Sequence, residues 1–324
     1  MQGVFLDSAT MKPEALDLSG LRAALPQWRF HETTTPAQLH ERIADATVVL
    51  TNKVVLDRAA LEAASHLKLI CVCATGTNNV DLDAARERGI PVCNVRDYAA
   101  PSVAQHTVAL MLALATRWHD YHRDVASGVW SRSPVFTRMD YPVVELAGRN
   151  LGIVGRGSLG RRVAALGEAL GMRVRFARSL RPGAPPEPGR VPLSALLAQA
   201  DVLSLHCPLT EQTRGLIDRQ ALAAMKRSAF LINTARGDLV DEPALAEALR
   251  RGDIAGAALD VLSQEPPPAD HPLLAADIPN LLITPHNAWV STECRQRLLN
   301  GVVENIRAWR GGTLRNCVNG LEAA

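Results

Sequence analysis

A chain of 324 residues that is 47% hydrophobic and 21% charged has a globular composition and exceeds one ordinary core, so about two domains are expected. A formal net charge of +2 gives no support for nucleic acid or a membrane surface as partner, and six cysteines without framework spacing read as reduced thiols. The opening MQGVFLDSAT lacks a basic region, an apolar run and a cleavage site, which leads to the expectation of a cytoplasmic protein.

Residues 4–7, 47–51, 69–74 and 91–94 read as short strands, each preceded by a helical stretch, and that alternation implies a parallel sheet. Within 69–74 the alternation puts Cys71 and Cys73 on one face, as small buried apolar residues rather than metal ligands. The stretch ATGTNNVD that follows, with Thr75 and Gly76, either presents backbone amides to an anion or is a plain surface turn, and composition does not choose. This unit ends near Tyr98.

Pro101 suits the first turn of a long helix over 102–118, apolar nearly all round and expected to be buried between domains or subunits. Gln105, His106 and Thr107 interrupt it, and it falls short of the roughly 20 apolar residues of a membrane span. His119 and His122 with Asp120 and Asp124 imitate metal-ligand spacing, but a solvated helical face accounts for them and no metal is expected. Residues 126–142 lack periodicity and read as an extended loop.

The chain's organising stretch is LGIVGRGSLG at 151–160. An apolar strand ends in Gly155, Gly157 and Gly160 at G-x-G-x-x-G spacing, and a helix follows whose Val163, Leu166, Ala169 and Leu170 fall on one stripe. Gly155 allows the tight turn and Gly157 the approach of a pyrophosphate; Gly160 lets helix and strand pack closely, and the amides around Ser158 and Leu159 face the phosphate charge. A second strand over 172–177 runs to Arg178, at the place about 20 residues beyond the glycines where an acidic residue would select NAD. Arg178, Ser179 and Arg181 instead suit the 2′-phosphate of NADP(H), with NAD(H) as the lesser cofactor.

After a proline-rich loop over 181–192 and a helix over 193–199, strands are expected at 202–206, 229–233, 255–259 and 281–284. Functional groups gather at their C-terminal ends, where open parallel sheets bind ligands. Three residues there are candidates for chemistry: Arg236 in NTARGDLVDE, Glu265 in LSQEPPP and His286 in TPHNA. A histidine titrates near neutrality and can give a proton to a carbonyl in one direction and remove it in the other. A carboxylate on its second nitrogen would orient it and favour the protonated form, and a guanidinium can grip a carboxylate or polarise the carbonyl. A last helix over 291–309 and the tail 311–324 are able to return to the first domain.

VGRGSLG, HCPLTEQTRGLID, NTARGDLVDEPAL, LDVLSQEP and TPHNAW, in this order and spacing, resemble the D-isomer-specific 2-hydroxy acid dehydrogenase family across essentially the whole chain. The resemblance implies an α/β protein with two Rossmann-like parallel-sheet domains, one flavodoxin-like and one dinucleotide-binding, with a cleft between them. It implies a discontinuous substrate-binding domain (1–98 plus 290–324) and a dinucleotide-binding domain (99–289) that begins with an interdomain and dimerisation helix and loop. By it, Arg236 binds substrate and takes part in catalysis, Glu265 pairs with the histidine, and His286 is the proton donor. His206, Cys207, Pro208, Thr213, Thr234, Ala235, Arg236, Asp260 and His286 match cofactor-contacting positions, and a homodimer is implied.

CVCATGTNNVDLDAA, Gln105 in SVAQHT and DYPVVELAGRNLGIVG look most like D-glycerate dehydrogenases, also called hydroxypyruvate reductases. On that resemblance the amides around Thr75 and Gly76 bind the substrate carboxylate, with Asn52 and Lys53 near it. The chain departs from NAD-dependent members at Arg178, which brings glyoxylate reduction into contention. The expectation is therefore reduction of hydroxypyruvate to D-glycerate, glyoxylate to glycolate, or both. A dehydrogenase for another 2-keto acid and a dinucleotide-sensing regulator resembling the C-terminal-binding corepressors are the rivals; the complete Arg, Glu, His set weighs against the latter.

Overall fold

The chain was analysed as a computed structural model describing residues 1–181, 183–185 and 187–322. Pro182 and Pro186 of the expected proline-rich loop, and Ala323 and Ala324 of the tail, lie outside the described residues. Contacts divide the chain into two units, Met1–Ala99 with Trp289–Ala324, and Ala100–Ala288.

The first unit alternates strand and helix: β1 (Gln2–Phe5), α1 (Ser19–Ala24), β2 (Gln27–Phe30), α2 (Pro36–Ile43), β3 (Val48–Thr51), α3 (Arg58–Ala63), β4 (Leu69–Val72), α4 (Leu82–Glu87) and β5 (Val92–Cys93). The strands pair in parallel in the order β2-β1-β3-β4-β5, the flavodoxin-like winding. VVLT of β3 and LICV of β4 are buried throughout, as strands covered on both faces must be. The sequence reading missed β2: its QWRF alternates exposed and half-buried residues at the sheet's edge, too short and too polar to stand out.

The second unit opens with α5 (Ala100–Thr116) and α6 (Trp118–Ala126). The single helix expected over 102–118 therefore ends early, because Arg117 takes a left-handed backbone at φ 53°. Ala104, Leu110, Met111, Leu114 and Ala115 of α5 join the core of their own unit, with Ile153, Val163 and Ile232. Asp120, expected on a solvated face, is instead 5% exposed, its carboxylate accepting from Arg117 Nε at 2.5 Å and from Arg123 at 2.7 Å.

The chain continues through β6 (Asn150–Val154), α7 (Ser158–Ala169), β7 (Arg173–Ala177), β8 (Arg190–Val191), α8 (Leu193–Gln199), β9 (Val202–Leu205), α9 (Arg219–Ala224), β10 (Phe230–Asn233), α10 (Glu242–Arg251), β11 (Gly256–Leu259) and β12 (Leu281–Ile283). All pairings are parallel, in the order β12-β11-β10-β9-β6-β7-β8, a Rossmann winding whose direction reverses between β6 and β9. The two-residue β8 lies inside what was read as pure loop and pairs with the end of β7.

One expected face is wrong. On α7 the buried positions are Gly160, Val163, Ala164 and Gly167, while Leu166 and Ala169 face outward. The helix sits so close to β6 that small residues, rather than large apolar ones, mark its inner side: a Cβ on Gly167 would strike Leu151.

Last comes α11 (Thr292–Arg310), whose Leu298, Leu299, Val302, Val303 and Ile306 pack with Phe5, Leu50 and Leu69 in the first unit's core. Asp57, Asp81, Asp218, Asp241 and Ser291 cap their helices by accepting from a main-chain N–H three residues on.

Gly155 and Gly160 carry the tightest constraint: Gly155 has φ 104°, and a Cβ on Gly160 would collide with the Gly155 carbonyl. Gly160→Ala is expected to destabilise the second unit by about 1–3 kcal/mol, seen as a fall in Tm of about 2–4 °C for each kcal/mol; an unchanged melt refutes the close approach.

Candidate active site

The glycine turn joins β6 to α7 at the point where the sheet reverses its winding, and it has the shape a dinucleotide needs. A Cβ on Gly155 would lie 2.5 Å from the His206 carbonyl oxygen, so β6 and β9 meet there with no room for a side chain. Among the described residues nothing lies within 4 Å of where a Gly157 side chain would begin, which leaves one side of the turn open for a phosphate. Gly157 is the N-cap of α7, with Ser158 and Leu159 in its first turn.

Arg178, immediately beyond β7, is exposed and hydrogen-bonds through its main-chain N–H to Val191. Ser179 Oγ accepts from the Arg181 N–H, drawing the two residues into one turn. The sequence reading passed over Arg156, between the first two glycines. Its guanidinium lies over the Phe176 ring at 5.5 Å and 3.3 Å from Glu187, which also pairs with Arg190 at 2.7 Å. The cations beside β7 thus include Arg156 and Arg190 as well as the expected pair.

At the end of β9, His206 Nε2 lies 2.8 Å from Ser204 Oγ, and burial pushes this imidazole down to about 3, so it is neutral near pH 7. Burial likewise raises the Cys207 thiol to about 11, making it a packing residue rather than a nucleophile. Thr213 is buried, with its hydroxyl donating to the Pro208 carbonyl at 2.8 Å and accepting from the Thr210 N–H at 2.8 Å. It shapes the HCPLT turn from within.

The groups expected to carry chemistry stand at the ends of β10, β11 and β12, three adjacent strands. Asn233 closes the first of these loops: its Oδ1 accepts from the Ala235 N–H and its Nδ2 donates to the Arg236 carbonyl. Thr234 is buried against the Thr107 hydroxyl at 3.1 Å, while the Arg236 side chain is exposed and donates to the Ala235 carbonyl. Glu265 and His286, 21 residues apart, are brought into direct contact, with Glu265 Oε2 2.6 Å from His286 Nδ1. Both are about one-third exposed.

His286 itself has φ 50°, a left-handed conformation uncommon outside glycine, though histidine enters it more readily than most residues. Asp260 holds it there. This carboxylate is 1% exposed and accepts from the Thr284 hydroxyl at 2.6 Å and from the N–H groups of Asn287 and Ala288 at 2.9 and 3.0 Å; the His286 N–H donates to the Asp260 carbonyl. Asp260, expected as a cofactor contact, is thus bonded to the loop that carries His286. His106 of α5 completes the group, its Nε2 3.0 Å from Thr284 Oγ1. Nothing in the spacing of His106, Asp260 and Thr284 signalled this, since they come from three separate segments.

Asn52, Lys53, Thr75 and Gly76 belong to the first unit, beyond β3 and β4. The buried carboxylate of Asp7 accepts from the N–H groups of Asn52, Lys53 and Val54, fixing that loop. Asn52 is 4% exposed, and its Nδ2 has no hydrogen-bond partner among the described residues. Thr75 Oγ1 donates to the Val95 carbonyl and the Thr75 carbonyl accepts from Asn94 Nδ2. Asp7 was read only as the end of a strand.

His206 gives a pH prediction with a defined sign. A histidine held neutral by the fold binds its proton more readily when unfolded, so below about pH 6.5 and down to about 3 acid favours unfolding. His206→Asn is expected to flatten the fall of Tm across that window relative to the unsubstituted protein, and parallel Tm–pH curves contradict the assignment.

A family model described as D-isomer specific 2-hydroxyacid dehydrogenase, NAD binding domain, matches residues 108–288. The chain is 44% identical over 316 residues to the glycerate dehydrogenase of Methylorubrum extorquens, covering 95% of this chain and 99% of that one. It is 38% identical over 324 residues to the hydroxypyruvate reductase of Blautia hydrogenotrophica, covering 98% and 100%. Its structure is similar to the crystal structure of TT0316 protein from Thermus thermophilus, with a TM-score of 0.84 at 36% identity over 98% and 100% of the two chains. A glycine turn at the winding reversal, a bonded Glu–His pair and matches running nearly end to end agree: the chain belongs to the D-isomer specific 2-hydroxyacid dehydrogenase family.

Proposed function

We propose that this protein reduces hydroxypyruvate to D-glycerate, and glyoxylate to glycolate, with NADPH preferred over NADH. The observation that carries the reading is the 2.6 Å contact between Glu265 Oε2 and His286 Nδ1. With Nδ1 donating to Glu265, the other ring nitrogen is the one that holds the transferable proton. A bound nicotinamide dinucleotide supplies the hydride that becomes the new C–H bond at C2. His286 gives its Nε2 proton to the carbonyl oxygen, completing the alcohol, and Glu265 stabilises the imidazolium before that transfer and fixes the ring's orientation.

Arg236, on the neighbouring loop and free to extend from an exposed position, pairs with the substrate carboxylate or polarises the carbonyl. Asn52, Lys53, Thr75 and Gly76 take the carboxylate in this reading, supported by an Asn52 Nδ2 that is buried and has no partner among the described residues. Gly155, Gly157, Ser158, Leu159 and Gly160 hold the pyrophosphate; residues 206–208, Thr213, Thr234 and Ala235 wall the nucleotide site, where Asp260 acts by holding the His286 loop. The relatives named glycerate dehydrogenase and hydroxypyruvate reductase favour a small 2-keto acid.

Arg178, Ser179 and Arg181 form the proposed 2′-phosphate site, with Arg156 and Arg190 adding positive charge. A homodimer is part of the proposal, supported by the apolar side chains that Trp118, Phe136 and Met139 expose. So is a cytoplasmic setting, whose reducing conditions suit six cysteines carried as thiols.

In a spectrophotometric panel of hydroxypyruvate, glyoxylate, pyruvate and phenylpyruvate against both reduced cofactors, hydroxypyruvate with NADPH is expected to give the highest kcat/KM. His286→Gln is expected to lower kcat by about 10²–10⁴ while nucleotide binding stays within about twofold; undiminished turnover excludes His286 as the proton donor. Arg178→Asp is expected to move the kcat/KM ratio from NADPH towards NADH by about tenfold or more, the worth of a charge-assisted hydrogen bond. An unaltered ratio rejects the phosphate site.

A further inference from the structure

The reaction above leaves unused a buried cluster of ionisable groups. Glu242, the first residue of α10, is 5% exposed, and His271 is 7% exposed. Glu242 Oε1 accepts from the Ser263 N–H at 2.7 Å; Oε2 accepts from the Ser263 hydroxyl at 2.5 Å and lies 3.0 Å from His271 Nε2. His271 Nδ1 accepts from the Leu273 N–H at 3.3 Å, so that nitrogen bears the lone pair and Nε2 bears the proton donated to Glu242. Three donors therefore converge on one carboxylate at the positive end of a ten-residue helix.

Burying a carboxylate this deeply is costly unless it is fully bonded, and two of the three donors to this one come from Ser263, a single loop residue. Ser263 stands two residues before Glu265, and Glu265 Oε1 accepts from the N–H of Leu262 at 2.9 Å. Gly237 also packs against the Leu262–Ser263 peptide, so tightly that any Cβ would overlap it, and Gly237 directly follows Arg236. The peptide between Leu262 and Ser263 is thus held by Glu242 and packed against the Arg236 loop.

We infer that Glu242, seated by His271, is a positioning residue that sets the geometry of Glu265 against His286. The inference rests on the role proposed for Glu265. In Glu242→Gln one oxygen still accepts from the Ser263 N–H, but an NH₂ group now faces the Ser263 hydroxyl and His271 Nε2. His271 must then accept at Nε2 and give up its bond to Leu273, so the loop loses its fixed register.

The test is a double-mutant cycle of Glu242→Gln with Glu265→Gln, assayed with hydroxypyruvate and NADPH alongside nucleotide titration and thermal melts. Glu242→Gln alone is expected to lower kcat about tenfold with nucleotide Kd within about twofold, and to lower it less than about twofold once Glu265 is already Gln. An equal loss in both backgrounds, or no loss in a folded Glu242→Gln protein, overturns the inference and leaves the reading of Glu265 standing. Full activity in Glu265→Gln overturns both. Should Glu242→Gln not fold, Ser263→Ala enters the same cycle, with a loss of about threefold expected that disappears in the Glu265→Gln background.

Discussion

Asp260 gathers Thr284, Asn287 and Ala288 around one buried carboxylate, and the left-handed backbone of His286 depends on that gathering. The arrangement answers a problem built into parallel sheets. Strands end together at one edge, and the loops leaving them carry N–H groups with no ladder partner. Asp7 solves it for residues 52–54 in the first unit, and Glu242 solves it for Ser263 in the second. In each case an acid supplies two oxygens, enough acceptors to hold several donors at once, and the side chains that face outward inherit a fixed origin.

Much of this was legible in the residues. The glycine spacing, the apolar strands and the order of the Arg, Glu and His motifs give the second unit's turn, its central strands and the membership of the family, because each is a local pattern read along the chain. The two-residue β8 and the edge strand β2 were not legible, since edge strands bury too little to declare themselves. The inner face of α7 was misread for a different reason: close approach to β6 inverts the usual rule, so that Gly160, Ala164 and Gly167 go in and Leu166 stays out. The work of Asp260, His106 and Glu242 was hidden as well. Each acts through partners 20 or more positions away, and no spacing rule connects them.

The nucleotide end of the second unit shows how charge is kept in balance where several cations meet. Arg156 and Arg190 share one carboxylate oxygen of Glu187, and Arg156 also rests on the Phe176 ring. Guanidinium groups crowded together repel unless an anion lies among them, and Glu187 provides one from within the chain. Arg178 and Arg181 are exposed as well, so the surface beside β7 presents positive charge that is only partly neutralised.

The left-handed backbone at His286 has a consequence for which side chains the position tolerates. Conformations of this kind cost of order 1–3 kcal/mol and persist only where the surroundings over-determine them. Asparagine, aspartate and histidine itself enter this region most readily among residues with a Cβ, whereas valine, isoleucine and threonine are the poorest fit. The loop's geometry therefore filters substitutions at position 286 by backbone shape before chemistry has any say, so that an amide is accommodated with less strain than a branched aliphatic group of similar bulk.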